Sequence, residues 1–121
     1  MQYMILIYGD EKNFALMASD PEAQRKMYEA FAGYNTELRG AGVLRAGGEL
    51  KPTHSATTVR VRDGKIVTVD GPFAETKEQL GGYYIIDVPH LDDAVKWAAR
   101  CPAAHGGSIE VRPIGVTPDT H

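Results

Sequence analysis

The sequence predicts an α+β fold in which the elements run β-α-β, a hairpin, then β-α-β. Three observations predict it. Two short apolar runs, residues 2–8 and 83–88, are rich in β-branched and aromatic side chains, as buried strands are. After each run comes a segment with apolar residues at helical spacing. Between the two halves, Asp63-Gly64 separates two alternating stretches, and both residues tolerate the positive φ of a type I′ turn. This order is that of the split βαβ, ferredoxin-like topology with an inserted hairpin.

Taken in chain order, residues 2–8 (QYMILIY) form the first strand and Gly9-Asp10 ends it. Residues 13–18 read as a loop. Ser19 then reads as the N-cap of a capping box with Glu22, and Pro21 falls in the first turn, where its missing N–H costs nothing. Met27, Phe31, Tyr34 and Leu38 follow at i, i+4, i+7 and i+11, which is one apolar stripe, so Phe31 is expected to pack against the sheet. Gly40 and Gly42 stop this helix. Residues 43–50 read as a second strand, weakened by Gly47-Gly48. Residues 57–62 and 65–69 flank the Asp63-Gly64 turn. Asp70-Gly71-Pro72-Phe73 is a turn cluster, with Phe73 expected to plug a gap in the core. Residues 74–80 read as one helical turn ahead of the strand at 83–88. Leu91, Ala94, Val95 and Ala98 mark the second helix, with Asp92 and Asp93 at its positive end, Arg100 at its negative end and Pro102 beyond the stop. In the last strand, residues 108–114, Ile109 and Val111 alternate with Glu110 and Arg112. From Thr117 the tail is expected to fray.

Composition bounds the function. The 121 residues carry 13 Lys and Arg against 16 Asp and Glu, a net charge of −3, and 43% are hydrophobic. That is one domain, able to bury roughly two thirds of its unfolded surface without disulfide or metal. Mild acidity argues against a nucleic-acid binder, which needs a basic stripe for phosphates. The apolar stretch at residues 4–8 is too short to span a bilayer and lacks the basic flank and cleavage site of a secretory signal. A single Cys101 makes no internal disulfide, which fits a reducing compartment. The reading is a cytoplasmic protein with no membrane segment.

Two helices cover one face of such a sheet. Yet the first strand is apolar on both: Met4, Leu6 and Tyr8 on one, Tyr3, Ile5 and Ile7 on the other. Tyr83 and Ile85 oppose Tyr84, Ile86 and Val88 in the same way. An apolar face left bare by the helices needs a partner, and a homodimer supplies one because a two-fold axis lets a patch cover itself.

The most distinctive string runs from Asp70 to Asp87, DGPFAETKEQLGGYYIID. Together with Tyr8-Gly9-Asp10, the ATTVRVRDG stretch at 56–64 and Ile109-Glu-Val-Arg-Pro113, it closely resembles the DGPF-type branch of the YCII-related family. The resemblance covers nearly the whole chain. It implies a single domain over residues 1–116 with a tail at 117–121, and a ferredoxin-like chain pairing into a dimeric α/β barrel. Some relatives in the wider family perform ring-dehalogenating or isomerase-like chemistry with a His–Asp pair. DGPF members are often encoded beside extracytoplasmic-function sigma factors, which implies a regulatory link. The acid–base His of the enzymatic relatives lies on the first helix. Aligned on Gly42-Val43-Leu44, that position is Phe31 here, and no His lies between Ser19 and Gly40.

The candidate ligand-binding residues are Asp70, Glu75, Lys77 and His54. Asp70 reads first as a turn cap, its carboxylate meeting backbone N–H groups. The sharper reading makes it a pocket carboxylate at the barrel mouth, beside Glu75 and Lys77, which could hold an amine or move a proton. Glu75, Lys77 and Glu78 also resemble an ordinary solvated turn. Of the four His, His54 in its Pro-Thr-His-Ser loop is the candidate acid or base, while His90, His105 and His121 read as helix start, turn and terminus. No His pair stands at i, i+4 and no phosphate-loop pattern occurs, so no metal or cofactor is expected. Arg60, Arg62 and Lys65 cluster on the hairpin, as a solvated edge or a dock for an acidic protein surface.

Three functions follow. The first is a small-molecule-binding homodimer with weak acid–base chemistry, its pocket between sheet and helices near residues 70–77. The second is a non-enzymatic regulator acting through a sigma factor. The third is a structural domain without a ligand.

Overall fold

The computed structural model of the chain describes residues 1–115. The elements are β1 (Gln2–Asp10), α1 (Glu11–Ala18), α2 (Pro21–Gly40), β2 (Leu44–Glu49), β3 (Thr57–Arg62), β4 (Lys65–Asp70), β5 (Glu78–Asp87), α3 (Leu91–Ala99) and β6 (Ser108–Pro113). Short 3-10 turns occupy Thr53–Ser55 and Pro102–His105. Four strands make an antiparallel sheet in the order β2-β5-β1-β6, compatible with a ferredoxin-like α+β fold. Strands β3 and β4 pair with each other as a separate two-stranded sheet.

Period-two alternation decides which side chains meet the helices. Tyr3, Ile5 and Ile7 of β1, with Tyr84, Ile86 and Val88, are buried beneath Tyr34 and Leu38 of α2 and Ala94 of α3. Phe31 packs partly buried against this core, as its place in the stripe predicts. Tyr34 donates its hydroxyl to the Trp97 carbonyl at 2.7 Å, and Tyr84 donates to Asn35 Oδ1 at 2.5 Å. Their rings stand edge to face, 5.4 Å between centroids. Burial raises both hydroxyl pKa values, that of Tyr84 to about 12, so both remain donors at neutral pH. On the opposite face Met4, Leu6, Tyr8, Tyr83 and Ile85 are partly exposed.

The hairpin turn is as the sequence predicts: Asp63 and Gly64 take φ of 53° and 74°. Four other expectations need correction. Residues 13–18 are helical, in α1, because Asp10 caps the helix by accepting from the Lys12 N–H at 2.9 Å. The N-cap of α2 is Asp20, which accepts from the Glu22 and Ala23 N–H groups. Ser19 instead donates its hydroxyl to the Leu16 carbonyl at the end of α1. Residues 78–80 are already strand, drawn into β5 by pairing with β1 past an irregularity at Ile7/Tyr8. Phe73 plugs no gap; it is 80% exposed beside the hairpin. Gly47 belongs to the packing of β2, since a Cβ there would lie 2.7 Å from the Tyr84 ring. The tail at 117–121, with His121, lies outside the described residues.

Cys101 is fully buried, and loss of solvent pushes its thiol pKa up. Iodoacetamide at mildly alkaline pH is therefore expected to label Cys101 at the rate of unfolding. Labelling in native buffer as fast as in denaturant would contradict this.

Candidate functional site

Where β1 passes into α1, the end of the sheet opens into a cleft of about 760 Å³. Tyr8 and Asp10 form one wall and Asn13 of α1 another. Thr76, Lys77 and Glu78 close a third side, with Gly106 and Ser108 at the start of β6. None of the lining comes from α2 or α3, so the cleft lies at the sheet's end and not between sheet and helices.

The strand register assembles it. Asp10 pairs with Glu78 across β1 and β5, and Tyr8 pairs with Ser108 across β1 and β6. Two carboxylates directly opposed on neighbouring strands repel. Each is given a donor: Asp10 Oδ1 takes the Lys12 N–H at 2.9 Å, and Glu78 Oε1 takes the Ser108 hydroxyl at 2.7 Å.

A second polar row continues onto the open sheet face. Tyr8 donates its hydroxyl to Glu110 Oε1 at 3.1 Å, and Arg112 Nε donates to Glu110 Oε2 at 3.0 Å. The Arg112 hydrogen bond, then that of Tyr8, holds the Glu110 carboxyl below the usual carboxylate range. Partial burial, reinforced by Glu110, raises the Tyr8 hydroxyl. At neutral pH the row is thus a neutral phenol, a carboxylate and a guanidinium. It can hold a partner by hydrogen bonds but offers no group titrating near neutrality. Because the folded Glu110 pKa is depressed, its contribution to stability is present above the ordinary carboxylate pKa. That contribution is lost as pH falls through the folded value. Tyr8→Phe is expected to raise the Glu110 pKa, read by carboxylate carbon NMR during an acid titration. An unchanged titration would mean that the Tyr8 bond does not form in solution.

Of the residues singled out in the sequence, Lys77 lines the cleft. Asp70, Glu75 and His54 lie outside its lining, all three exposed. Asp70 ends β4 opposite Thr57. Its carboxylate accepts no hydrogen bond among the described residues, so it is not the expected turn cap. The backbone closes that turn instead: the Gly71 N–H, at φ 101°, meets the Ala56 carbonyl at 2.6 Å, and Thr58 donates its hydroxyl to the Gly71 carbonyl at 2.9 Å. Asp70→Ala is accordingly expected to change stability by no more than about 0.5 kcal/mol in a urea titration. A loss near 2 kcal/mol would show a contact absent from the structure. His54 lies in the 3-10 turn whose Thr53 gives both its N–H and its hydroxyl to Glu11, at 2.9 and 2.7 Å. Those bonds hold the Glu11 carboxyl low, with a smaller assist from His54.

Glu78, Ser108, Asn13 and Asp10 were not legible as site residues. The available signal was Asp10 at a strand end, which serves as a helix cap only once residues 11–18 are known to be helical. Among the described residues, no group of three His, Cys, Asp or Glu side chains converges for a metal, and no helix is long and apolar enough to cross a membrane.

A four-stranded antiparallel sheet, helices on one face and a polar cleft at its end define an α+β domain of ferredoxin-like type. The YCII-related domain matches residues 1–116. An uncharacterized protein of Rhizobium meliloti (strain 1021) is 37% identical over 118 residues, spanning 96% of this chain and 94% of its own length. The chain belongs to the YCII-related family.

Proposed function

We propose that the protein is a cytoplasmic homodimer of the DGPF-type branch that binds a small polar molecule in the cleft at the end of its sheet. The cleft carries this reading. Its size, about 760 Å³, falls within the range of small-molecule sites. Among the described residues Lys77 has no carboxylate within ion-pair distance. It supplies a free cation beside Asn13, with the Asp10 and Glu78 carboxylates in the same lining, a set suited to a small polar ligand that carries both an anionic and a cationic group. Binding is favoured over turnover because Phe31 stands where the resemblance places the His of the enzymatic relatives, and the Tyr8, Glu110 and Arg112 row offers no group that titrates near neutrality. The dimer half of the reading is supported by the open sheet face, where Met4, Leu6, Tyr83 and Ile85 form an apolar strip that a two-fold axis would cover, closing a dimeric α/β barrel.

Native mass spectrometry of protein purified without added ligand tests both halves. The expected spectrum is a dimer with a retained small mass, released by Lys77→Ala. Asp70, Glu75 and His54, exposed and outside the cleft lining, are substituted alongside. A monomer at micromolar concentration removes the dimer, and a bare dimer that takes up no small polar metabolite from a cell extract removes the ligand. The exposed Arg60, Arg62 and Lys65 face favours a second reading, a regulator docking on an acidic surface of a sigma factor. Co-purification of that factor from cells, lost on Arg60→Glu, would support it.

A further inference from the structure

Helix α1 is held to the domain by little. It buries no side chain, and of its residues only Glu11 and Met17 are half-buried. Its eight residues are too few to stay helical alone, since isolated helices shorter than about 12–15 residues are marginal in water. Its shape therefore depends on what fastens it. The first fastening is at its start. Thr53 donates its N–H to Glu11 Oε1 at 2.9 Å and its hydroxyl to Glu11 Oε2 at 2.7 Å. These charge-assisted bonds tie α1 to the 3-10 turn after β2, 42 positions along the chain. The second is Phe14, whose ring lies on bare backbone of the two central strands. A Cβ on buried Gly9 of β1 would stand 2.4 Å from Phe14 Cζ, and one on Gly81 of β5 would stand 3.4 Å from Cε2.

We infer that α1 is a hinged wall of the cleft, helical while these two fastenings hold and open when they release, so that ligand binding and the docking of α1 are linked. This rests on the cleft being the binding site, as proposed above, and says how that site is controlled. Two residues put the helix into the site. Asp10 lines the cleft and caps α1 through the Lys12 N–H at 2.9 Å, and Asn13 lines the cleft from the first turn. Neither keeps its place if residues 11–18 leave the helical form. The ends of the segment suit a local opening. Ser19 closes α1 on the Leu16 carbonyl, and Asp20 starts α2 independently by capping it. Opening α1 therefore breaks neither the sheet nor α2, and weakly packed segments of this kind open at a small fraction of the global unfolding free energy. A rigid wall would need apolar side chains beneath it, whereas Leu16 is 69% exposed. A ligand seated against Asn13 binds the docked form and favours it. By linkage, whatever releases α1 weakens that ligand by the same factor.

Amide hydrogen exchange of the full chain, followed by NMR, reads the opening. The amides of residues 15–18 are expected to exchange through an opening of their own, ahead of those of β1 and α2. Thr53→Val leaves the α1 sequence intact and removes the hydroxyl bond. It is expected to speed exchange at residues 15–18 about tenfold with β1 and α2 unchanged. Glu11→Ala should match it from the other side of the bond, and Thr53→Ser, which keeps the hydroxyl, should restore the parent rate. The probe of the cleft is a protein-free metabolite extract, with bound mass read by native mass spectrometry. Thr53 lies outside the cleft lining, yet Thr53→Val is expected to raise the extract concentration for half occupancy by a similar factor, and bound mass to slow exchange in the parent's α1. If residues 15–18 exchange no faster than β1, or Thr53→Val leaves their rate unchanged or speeds all three elements alike, the hinged wall is overturned. If α1 alone speeds up while the mass is held as tightly as in the parent, α1 is loose without controlling the cleft. The hinged wall is then overturned and the cleft stands as the binding site. If the parent takes up nothing, the cleft reading falls and the hinged wall with it.

Discussion

Replacing Leu38 by alanine is expected to lower the unfolding free energy by about 2–5 kcal/mol, measured by urea titration at fixed protein concentration. Leu38 is fully buried at the end of the α2 stripe, over Ile5 and Ile86. Removing its branched end strips contacts from the helix and from both central strands. The neighbours are β-sheet side chains pinned by backbone hydrogen bonds, so the void cannot close freely, and the cavity adds to the lost transfer energy. Leu16 makes the control: it is 69% exposed on α1, and its truncation should cost no more than about 0.5 kcal/mol. A loss at Leu38 as small as that would mean that α2 does not seat on the sheet as described.

Gly107→Ala is expected to cost about 3 kcal/mol, at the upper end for overpacking. A Cβ at 107 would lie 2.2 Å from the Tyr8 carbonyl oxygen. That obstacle is the backbone of the central strand, so no rotamer relieves it. Either β6 moves away from β1, or the Tyr8–Ser108 pairing opens. The second course would also disturb the cleft, because Ser108 holds Glu78. The variant should therefore lose stability and shift the Ser108 and Glu78 NMR resonances together. Gly106→Ala gives the contrast: nothing lies within 4 Å of a Cβ there, and φ is −116°. Its expected cost is below about 0.5 kcal/mol. Equal losses at 106 and 107 would show that the turn, and not the strand contact, selects glycine.

The parts of the fold that depend on local period were legible. The alternation in β1 and β5, the α2 stripe and the Asp63-Gly64 turn each declare themselves within a few residues. The rest depended on partners distant in the chain. Residues 78–80 carry no strand signal strong enough to stand alone and are strand because β1 offers them hydrogen bonds. Asp10 and Asp20 are caps because of the helices that follow them, and Ser19 beside Asp20 is an equally good cap by residue type. The site suffers most from this dependence. Lys77 is found from its motif, but the Tyr8 bond to Glu110 joins residues 102 positions apart. Nothing in the sequence around either residue announces the other.

The place of β1 at the centre of the sheet has a consequence for how the protein is made. Its two neighbours are β5 and β6, both encoded far downstream. A nascent chain emerging from the ribosome presents this apolar strand before the other strands of its sheet and must keep both its edges unpaired until almost all of the elements that follow it have emerged. Closing such distant pairs is slow, because the loop entropy is lost before the contacts form. Through that interval the QYMILIY segment is a bare, sticky ribbon of the kind that chaperones shield and that seeds aggregates when they do not. Yield in cells should therefore depend on the rate of translation and on chaperone supply more steeply than the stability of the finished fold suggests.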